Sequence, residues 1–221
     1  MHKRFLLTAC VLSLLTLSSC LESKYPLTPV KEAKLDERLI GVWTSVRTEN
    51  DRGGAGTVYL HIGAEEKTPI SRVRDKPEPG LMRFVCVDHG FDKRRSVLGT
   101  PASCRFFVSK INDEDYANLL GPTEPKESGE PPEKPYYFFM KYKVEGDQLT
   151  LWAPDPELLE KAVKNGDLAG TVVRKGRLKL EEVELTATSE QLTAFLKTEA
   201  GKKVFADQGE EGKLVFHRLH E

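Results

Sequence analysis

Residues 136–152 read YYFFMKYKVEGDQLTLW, two runs of alternating apolar residues on either side of Gly146-Asp147. With that pair as a two-residue turn, Val144 falls opposite Leu149 and Tyr142 opposite Leu151, so the large apolar side chains meet on one face. Lys141 and Lys143 take the other face. The two strands therefore agree on one register, which predicts an antiparallel hairpin. Further strands are predicted at 40–47, 57–62, 81–88, 104–111, 170–174, 177–188 and 214–219. In 177–188 the alternation changes phase between Leu178-Leu180 and Val183-Leu185, which calls for a bulge or turn near Glu181-Glu182.

Three helices are predicted between these strands. The first has Asn112 as cap, acidic residues at 113–115 and Gly121 as terminator. The second has Asp155 as cap, Pro156 at the first helical position and Gly166 just past its end, and the third starts at Thr188 or Ser189 and stops at Gly201. A short helix at 30–39, with Leu35 and Leu39 at helical spacing, leads into the first strand. The stretch 121–135 (GPTEPKESGEPPEKP) has no large apolar residue to pack and reads as an extended, solvated loop. The expected fold is thus β-rich α+β: an antiparallel sheet or partly closed barrel with two to four short helices packed on it.

The 221 residues suffice for one ordinary domain. Hydrophobic residues at 39% and charged residues at 30% fit neither a multi-span membrane protein nor a wholly disordered chain. Lys+Arg 33 against Asp+Glu 34 leaves a formal charge of -1, which provides no field to hold phosphate backbones, so no nucleic-acid partner is expected.

The first twenty residues carry an address. Lys3 and Arg4 precede an apolar run from Phe5 to Leu17, too short to span a bilayer, and the run ends in Leu17-Ser18-Ser19-Cys20. That ending resembles the lipobox of bacterial lipoproteins. The resemblance implies that 1–19 is a signal peptide, that Cys20 becomes the lipidated N-terminus, and that the protein is anchored to a membrane by its lipid. Leu7-Thr8-Ala9-Cys10 satisfies the same pattern but would leave only Phe5 to Leu7 as an apolar segment, too little for a signal. Leu21 stands where inner-membrane retention in enteric bacteria uses Asp, which implies sorting to the outer membrane with the domain facing the periplasm. Loss of Lys3 and Arg4 with the signal removes two positive charges and takes the formal charge to -3. The expected organisation is a signal peptide at 1–19, a lipidated N-terminus and polar tether at 20–33, and a single β-rich domain at 34–221.

In an exported chain the two remaining cysteines, Cys86 and Cys104, are expected to form a disulfide. Alternation places Cys86 on one strand face with Met82 and Phe84, and Cys104 with Phe106 and Val108, leaving Arg83 and Arg105 pointing outward. Metal binding is the alternative, but no second cysteine pair and no histidine at ligand spacing supports it; no cofactor is expected.

No nucleophile elbow, His-Glu-x-x-His or Walker loop occurs, and none of His61, His89, His217 and His220 sits in an arrangement that specifies catalysis. Lys93, Arg94 and Arg95 form a short basic run that reads either as solvated surface or as a patch for anionic headgroups or an acidic envelope polymer. Gly41-Val42-Trp43, at the head of the first predicted strand, resembles the Gly-x-Trp signature of lipocalins and of bacterial lipocalin-like lipoproteins. The resemblance implies a barrel with Trp43 as a structural plug at its closed end. Two functions follow as expectations. The first is a non-enzymatic interaction or accessory module of the envelope; the second is a carrier of a small apolar ligand, lined by residues such as Phe138, Met140 and Tyr142.

Overall fold

The computed structural model describes residues 21–47, 55–65, 80–92, 95–121, 136–175, 180–205 and 213–220. The signal segment, Cys20, Lys93, Arg94 and 122–135 lie outside the described residues. Among the described residues twelve strands form one sheet: β1 (Leu21–Ser23), β2 (Gly41–Arg47), β3 (Gly56–Ala64), β4 (Met82–Asp92), β5 (Arg95–Leu98), β6 (Ala102–Ile111), β7 (Glu114–Leu120), β8 (Tyr137–Glu145), β9 (Gln148–Trp152), β10 (Gly170–Lys175), β11 (Leu180–Leu185) and β12 (Lys213–Arg218). Three α-helices among the described residues accompany them: α1 (Pro156–Asn165), α2 (Ser189–Leu196) and α3 (Glu199–Val204).

Eight strands close on themselves in the order β2-β3-β4-β6-β7-β8-β9-β12 and back to β2, every neighbour antiparallel. Closure removes the sheet edges that would otherwise expose unpaired backbone groups. The hairpin at its heart has the expected register, Tyr142 opposite Leu151 and Val144 opposite Leu149. β5 pairs β4 off the main path, and β10-β11-β1 extends the sheet beyond the barrel from the edge of β8.

Two cores result. Trp43, Leu60, Met82, Phe106, Leu119, Phe138, Leu149 and Phe216 fill the barrel. Phe107, Tyr116, Tyr137 and Phe139 leave its outer wall and pack with Leu21, Leu27, Val183, Leu185 and the apolar faces of the three helices. Strands β6 to β8 are therefore apolar on both faces, which explains why 136–140 is a continuous apolar run rather than an alternating one.

Several expectations are corrected. Residues 114–120 are a strand and not a helix: Asn112 and Asp113 adopt φ 51° and 64° and form a left-handed two-residue turn that joins β6 to β7 with Ile111 opposite Glu114. Asn and Asp serve equally as helix caps and in this turn, so the local signal was ambiguous. The third helix divides at Lys197-Thr198, where Thr198 caps α3. Gly201 lies inside α3 as a close-approach residue, since a Cβ there would fall 2.0 Å from the Phe195 carbonyl oxygen. Residues 30–39 form two 3-10 turns, Val30–Glu32 and Glu37–Leu39. β10 and β11 pair without a break from Gly170-Leu185 to Lys175-Leu180, so no bulge occurs at Glu181-Glu182; Leu178 lies outside the described residues. The second helix is as expected: the Asp155 side chain accepts from Glu157 N at 2.8 Å and Leu158 N at 3.1 Å, and Gly166 ends it at φ 80°.

The described part of the expected tether is instead an integral part of the fold. β1 runs parallel to β11, with Leu21 opposite Val183 and Ser23 opposite Leu185, and touches β8 at Tyr137. Asn118 on β7, fully buried, accepts from Leu27 N at 2.7 Å and donates to Ser109 Oγ at 2.8 Å. From α2, Ser189 Oγ donates to the Pro26 carbonyl at 2.7 Å and Thr193 Oγ1 to the Leu27 carbonyl at 2.8 Å. A stretch that is polar on average thus satisfies its backbone against residues far along the chain.

Candidate ligand cavity

The side chains that face the barrel axis alternate with those that face out, so each strand contributes every second residue to the interior. They leave a cavity of about 110 Å³. Leu60, Ile62, Phe84, Cys86, Phe106, Ala117, Leu119, Phe138, Met140, Leu149 and Phe216 line it, and its surface is almost wholly apolar. A volume of this order is near that of an apolar cavity that stays dry and admits benzene, about 150 Å³.

One end of the barrel is sealed. Trp43 is completely buried and its Nε1 donates to the Leu39 carbonyl at 2.8 Å, so the 3-10 turn Glu37–Leu39 holds the indole in place. The Arg218 guanidinium lies 4.1 Å from the Trp43 ring and donates to the carbonyls of Ile40 at 2.7 Å and Arg38 at 2.5 Å. Beside it the Tyr142 hydroxyl donates to Asp36 Oδ2 at 2.7 Å, and Arg38 bridges Asp36 and Asp115, each at 2.7 Å. Burial raises the Asp36 carboxyl, but the hydrogen bonds from Arg38 and Tyr142 outweigh it and hold the acid below its ordinary value. Burial, and then the hydrogen bond to Asp36, push the Tyr142 phenol far up.

The wall also has a seam. Along the edge of β8 away from β7, β9 pairs with Lys141 to Glu145, while β1 pairs only at Tyr137. Phe138, Phe139 and Met140 therefore span the gap between β9 and β1. Leu21, Ala153, Pro154 and Pro156 line the cavity at this place. Pro154 has no N–H to offer, which fits the departure of the chain from the sheet after Trp152.

The expected site residues fare differently. Trp43 and the three proposed ligand-facing residues Phe138, Met140 and Tyr142 meet in one interior. Cys86 and Cys104 share the inward face of neighbouring strands as expected, and Arg83 and Arg105 oppose each other outside, both bound to Glu65 at 3.1 and 3.0 Å. The expected disulfide is not formed. Cys86 stands opposite Ala102 and Cys104 opposite Phe84, so the cysteines are diagonal neighbours; diagonal pairs sit roughly 7–8 Å apart, beyond the reach of an S–S bond. Cys104 Sγ instead donates to the Leu120 carbonyl at 3.4 Å, and burial pushes its thiol up to about 11. Of the basic run, Arg95 begins β5, and Lys93 and Arg94 are outside the described residues. Among the described residues no group of three or more His, Cys, Asp or Glu could hold a metal ion, and no helix is long and apolar enough to cross a membrane.

Sequence reasoning missed the seam and the contribution of Leu21 to it, because both arise where β8 passes from one partner strand to another. It also missed Asn118 and Arg218, whose partners lie 91 and 178 residues away. Comparison with protein-family models, with curated proteins and with solved structures gives no match to this chain.

Proposed function

We propose that this chain is an exported bacterial lipoprotein, anchored to the outer membrane through Cys20, whose lipocalin-like barrel binds a small apolar ligand without catalysing a reaction. The observation that carries the binding is the apolar cavity: a closed barrel sealed at the Trp43 end, with phenylalanine, leucine and methionine side chains around about 110 Å³ of space. Such a lining offers little to orient a polar substrate and favours contact with an alkyl chain or a small aromatic group. The anchor is supported by the lipobox at 17–20.

The small volume also supports a second reading, in which the barrel is a scaffold and the protein an interaction or accessory module of the envelope. Native mass spectrometry of the protein purified from membranes, together with titration of a fluorescent fatty acid, separates the two. Saturable uptake at one molecule per chain, weakened by Ala117→Leu, is expected for the binder; no adduct and no uptake leaves the scaffold reading. The anchor is tested by Cys20→Ser, which should abolish palmitate labelling and membrane fractionation, while Cys10→Ser changes neither. Continued labelling of the Cys20→Ser protein would refute the assignment.

A further inference from the structure

We propose that the ligand of the barrel is a single-chain amphiphile taken in sideways: the methyl end of its alkyl chain enters through the seam between β9 and β1, and its polar head stays outside. This rests on the reading of the barrel as a binder of apolar ligands and adds the route and the ligand class. Phe139 belongs to the outer core with Leu21, yet both line the cavity together with the inward-facing Phe138 and Met140. A space bounded by both faces of one strand passes around that strand's edge. On β8 that edge is left between Tyr137, where β1 pairs, and Lys141, where β9 begins to pair. From there the lining continues through half-buried Ala153 and Pro154 to Pro156, which is exposed. The cavity thus reaches the surface through the barrel wall.

The ends of the barrel are poorer routes. Trp43 and Arg218 close one of them. At the other end of β2, Arg47 shares the inward parity of Trp43, and on β4 Asp88 shares that of Cys86. The Arg47 guanidinium crosses Gly56, where a Cβ would lie 2.9 Å from Nη2, and pairs with Asp88. The two side chains are 10% and 17% exposed, so an alkyl chain entering there would have to part a largely buried ion pair. At the seam it meets leucine, alanine and proline.

The ligand class follows from the groups around this opening. Among the described residues no charged side chain lines the cavity, and the Tyr142 hydroxyl is already given to Asp36 at 2.7 Å. Beside the seam, the Lys141 ammonium lies 2.9 Å from Glu114 and 5.4 Å from the centre of the Trp152 ring, and the Asp155 carboxylate accepts from Glu157 N and Leu158 N. A polar head therefore does better in water at Pro156 than inside, where it would go unpaired. The volume, about 110 Å³, holds roughly four carbons, in proportion to the 150 Å³ that admits benzene. That is the end of a chain, and each methylene buried there should raise affinity about fourfold.

The test uses the full-length protein in phosphatidylcholine vesicles and two photoprobes made from decanoic acid, one with a diazirine at the methyl end and one with it beside the carboxylate. The methyl-end probe should label peptides containing Phe84 to Cys86, Ala117 to Leu119 or Phe138 to Met140, and the head-end probe the peptide containing Ala153 to Pro156. Decanol, decanoate and decylphosphocholine, at equal mole fraction in the vesicle, should compete about equally for methyl-end labelling; a charged partner for the head would separate them by about tenfold or more. Ala153→Phe, which narrows the seam, should remove most of the methyl-end labelling, while Val46→Phe, on the exposed outer face of β2, should leave it unchanged. Should Ala153→Phe fail to fold, the two label maps of the wild-type protein decide the route by themselves. Head-end labelling at Arg47 or Asp88 overturns the lateral route, and a strong preference for one head overturns the ligand class; both leave the apolar binder standing. Methyl-end labelling confined to phospholipid overturns the binder and the inference together.

Discussion

Replacing Asn118 with alanine should loosen the whole N-terminal segment. Asn118 is completely buried on the outer face of β7, where its amide accepts from Leu27 N at 2.7 Å and donates to Ser109 Oγ at 2.8 Å and to the Phe107 carbonyl at 3.4 Å. Alanine leaves the Leu27 N–H buried without an acceptor, a cost of about 1–3 kcal/mol. Ser109 keeps its contact with Thr28 Oγ1 at 2.6 Å, so it adds little to the loss. The space vacated by the amide adds about 1 kcal/mol more. The sum, roughly 2–4 kcal/mol, corresponds to a fall in Tm of roughly 4–16 °C for a domain of this size. Urea unfolding at neutral pH would measure the free energy, and hydrogen exchange by mass spectrometry would locate it. Amides of 21–29 should lose protection first, while those of β2 and β3 keep theirs, because the barrel closes without β1. Thr28→Val is the control; it removes one hydrogen bond nearer the surface and should cost about 1 kcal/mol. An Asn118→Ala protein destabilised by less than about 0.5 kcal/mol, with 21–29 still protected, would refute the argument that this amide secures the segment.

Three further outcomes follow from the sealed end and the thiols. Gly41 has φ +139°, and a Cβ there would lie 2.6 Å from Arg218 Nη1, so Gly41→Ala should cost about 1–3 kcal/mol and displace the guanidinium from the Trp43 ring; unchanged Trp43 fluorescence and stability would contradict this. Asp36 is held below its ordinary value in the fold, so its contribution is complete above the unfolded carboxylate range, near pH 4, and is lost as pH falls through the lower folded value. Tyr142 is held above its ordinary value, so its contribution is complete below about pH 10 and is lost as pH rises beyond it. Unfolding midpoints from pH 2 to 11 should therefore fall less steeply at the acid end in Asp36→Asn and at the alkaline end in Tyr142→Phe than in the parent; parallel profiles would remove the linkage. Non-reduced peptide mapping should find Cys86 and Cys104 as thiols, with Cys104 alkylated at pH 8 far more slowly than an exposed cysteine because its thiol is pushed up to about 11; a peptide joined through both sulfurs would show that the strand register is wrong.

What the sequence determined by itself was whatever neighbours along the chain could settle. Gly146-Asp147 fixes the β8-β9 register because turn and paired side chains lie within a few residues of one another. Asp155 with Pro156, and Thr188 with Gln191, close their helix N-termini by contacts three residues long. The place of Trp43 in the core was implied by the resemblance of Gly41-Val42-Trp43 to the Gly-x-Trp signature, a motif of three consecutive residues. Tertiary structure decided the rest. The Asn112-Asp113 pair suits a helix cap and a left-handed turn alike, and only the pairing of Tyr116 with Ser109 and Lys141 on either side makes 114–120 a strand. The stretch after Cys20 looks like a solvated linker until Asn118 and β11 provide partners more than 90 and 150 residues away. Cys86 and Cys104 share a face by alternation, which the sequence carries, but their offset along that face depends on how β4 slides against β6, and strand register between distant segments is set by the packed core rather than by either strand.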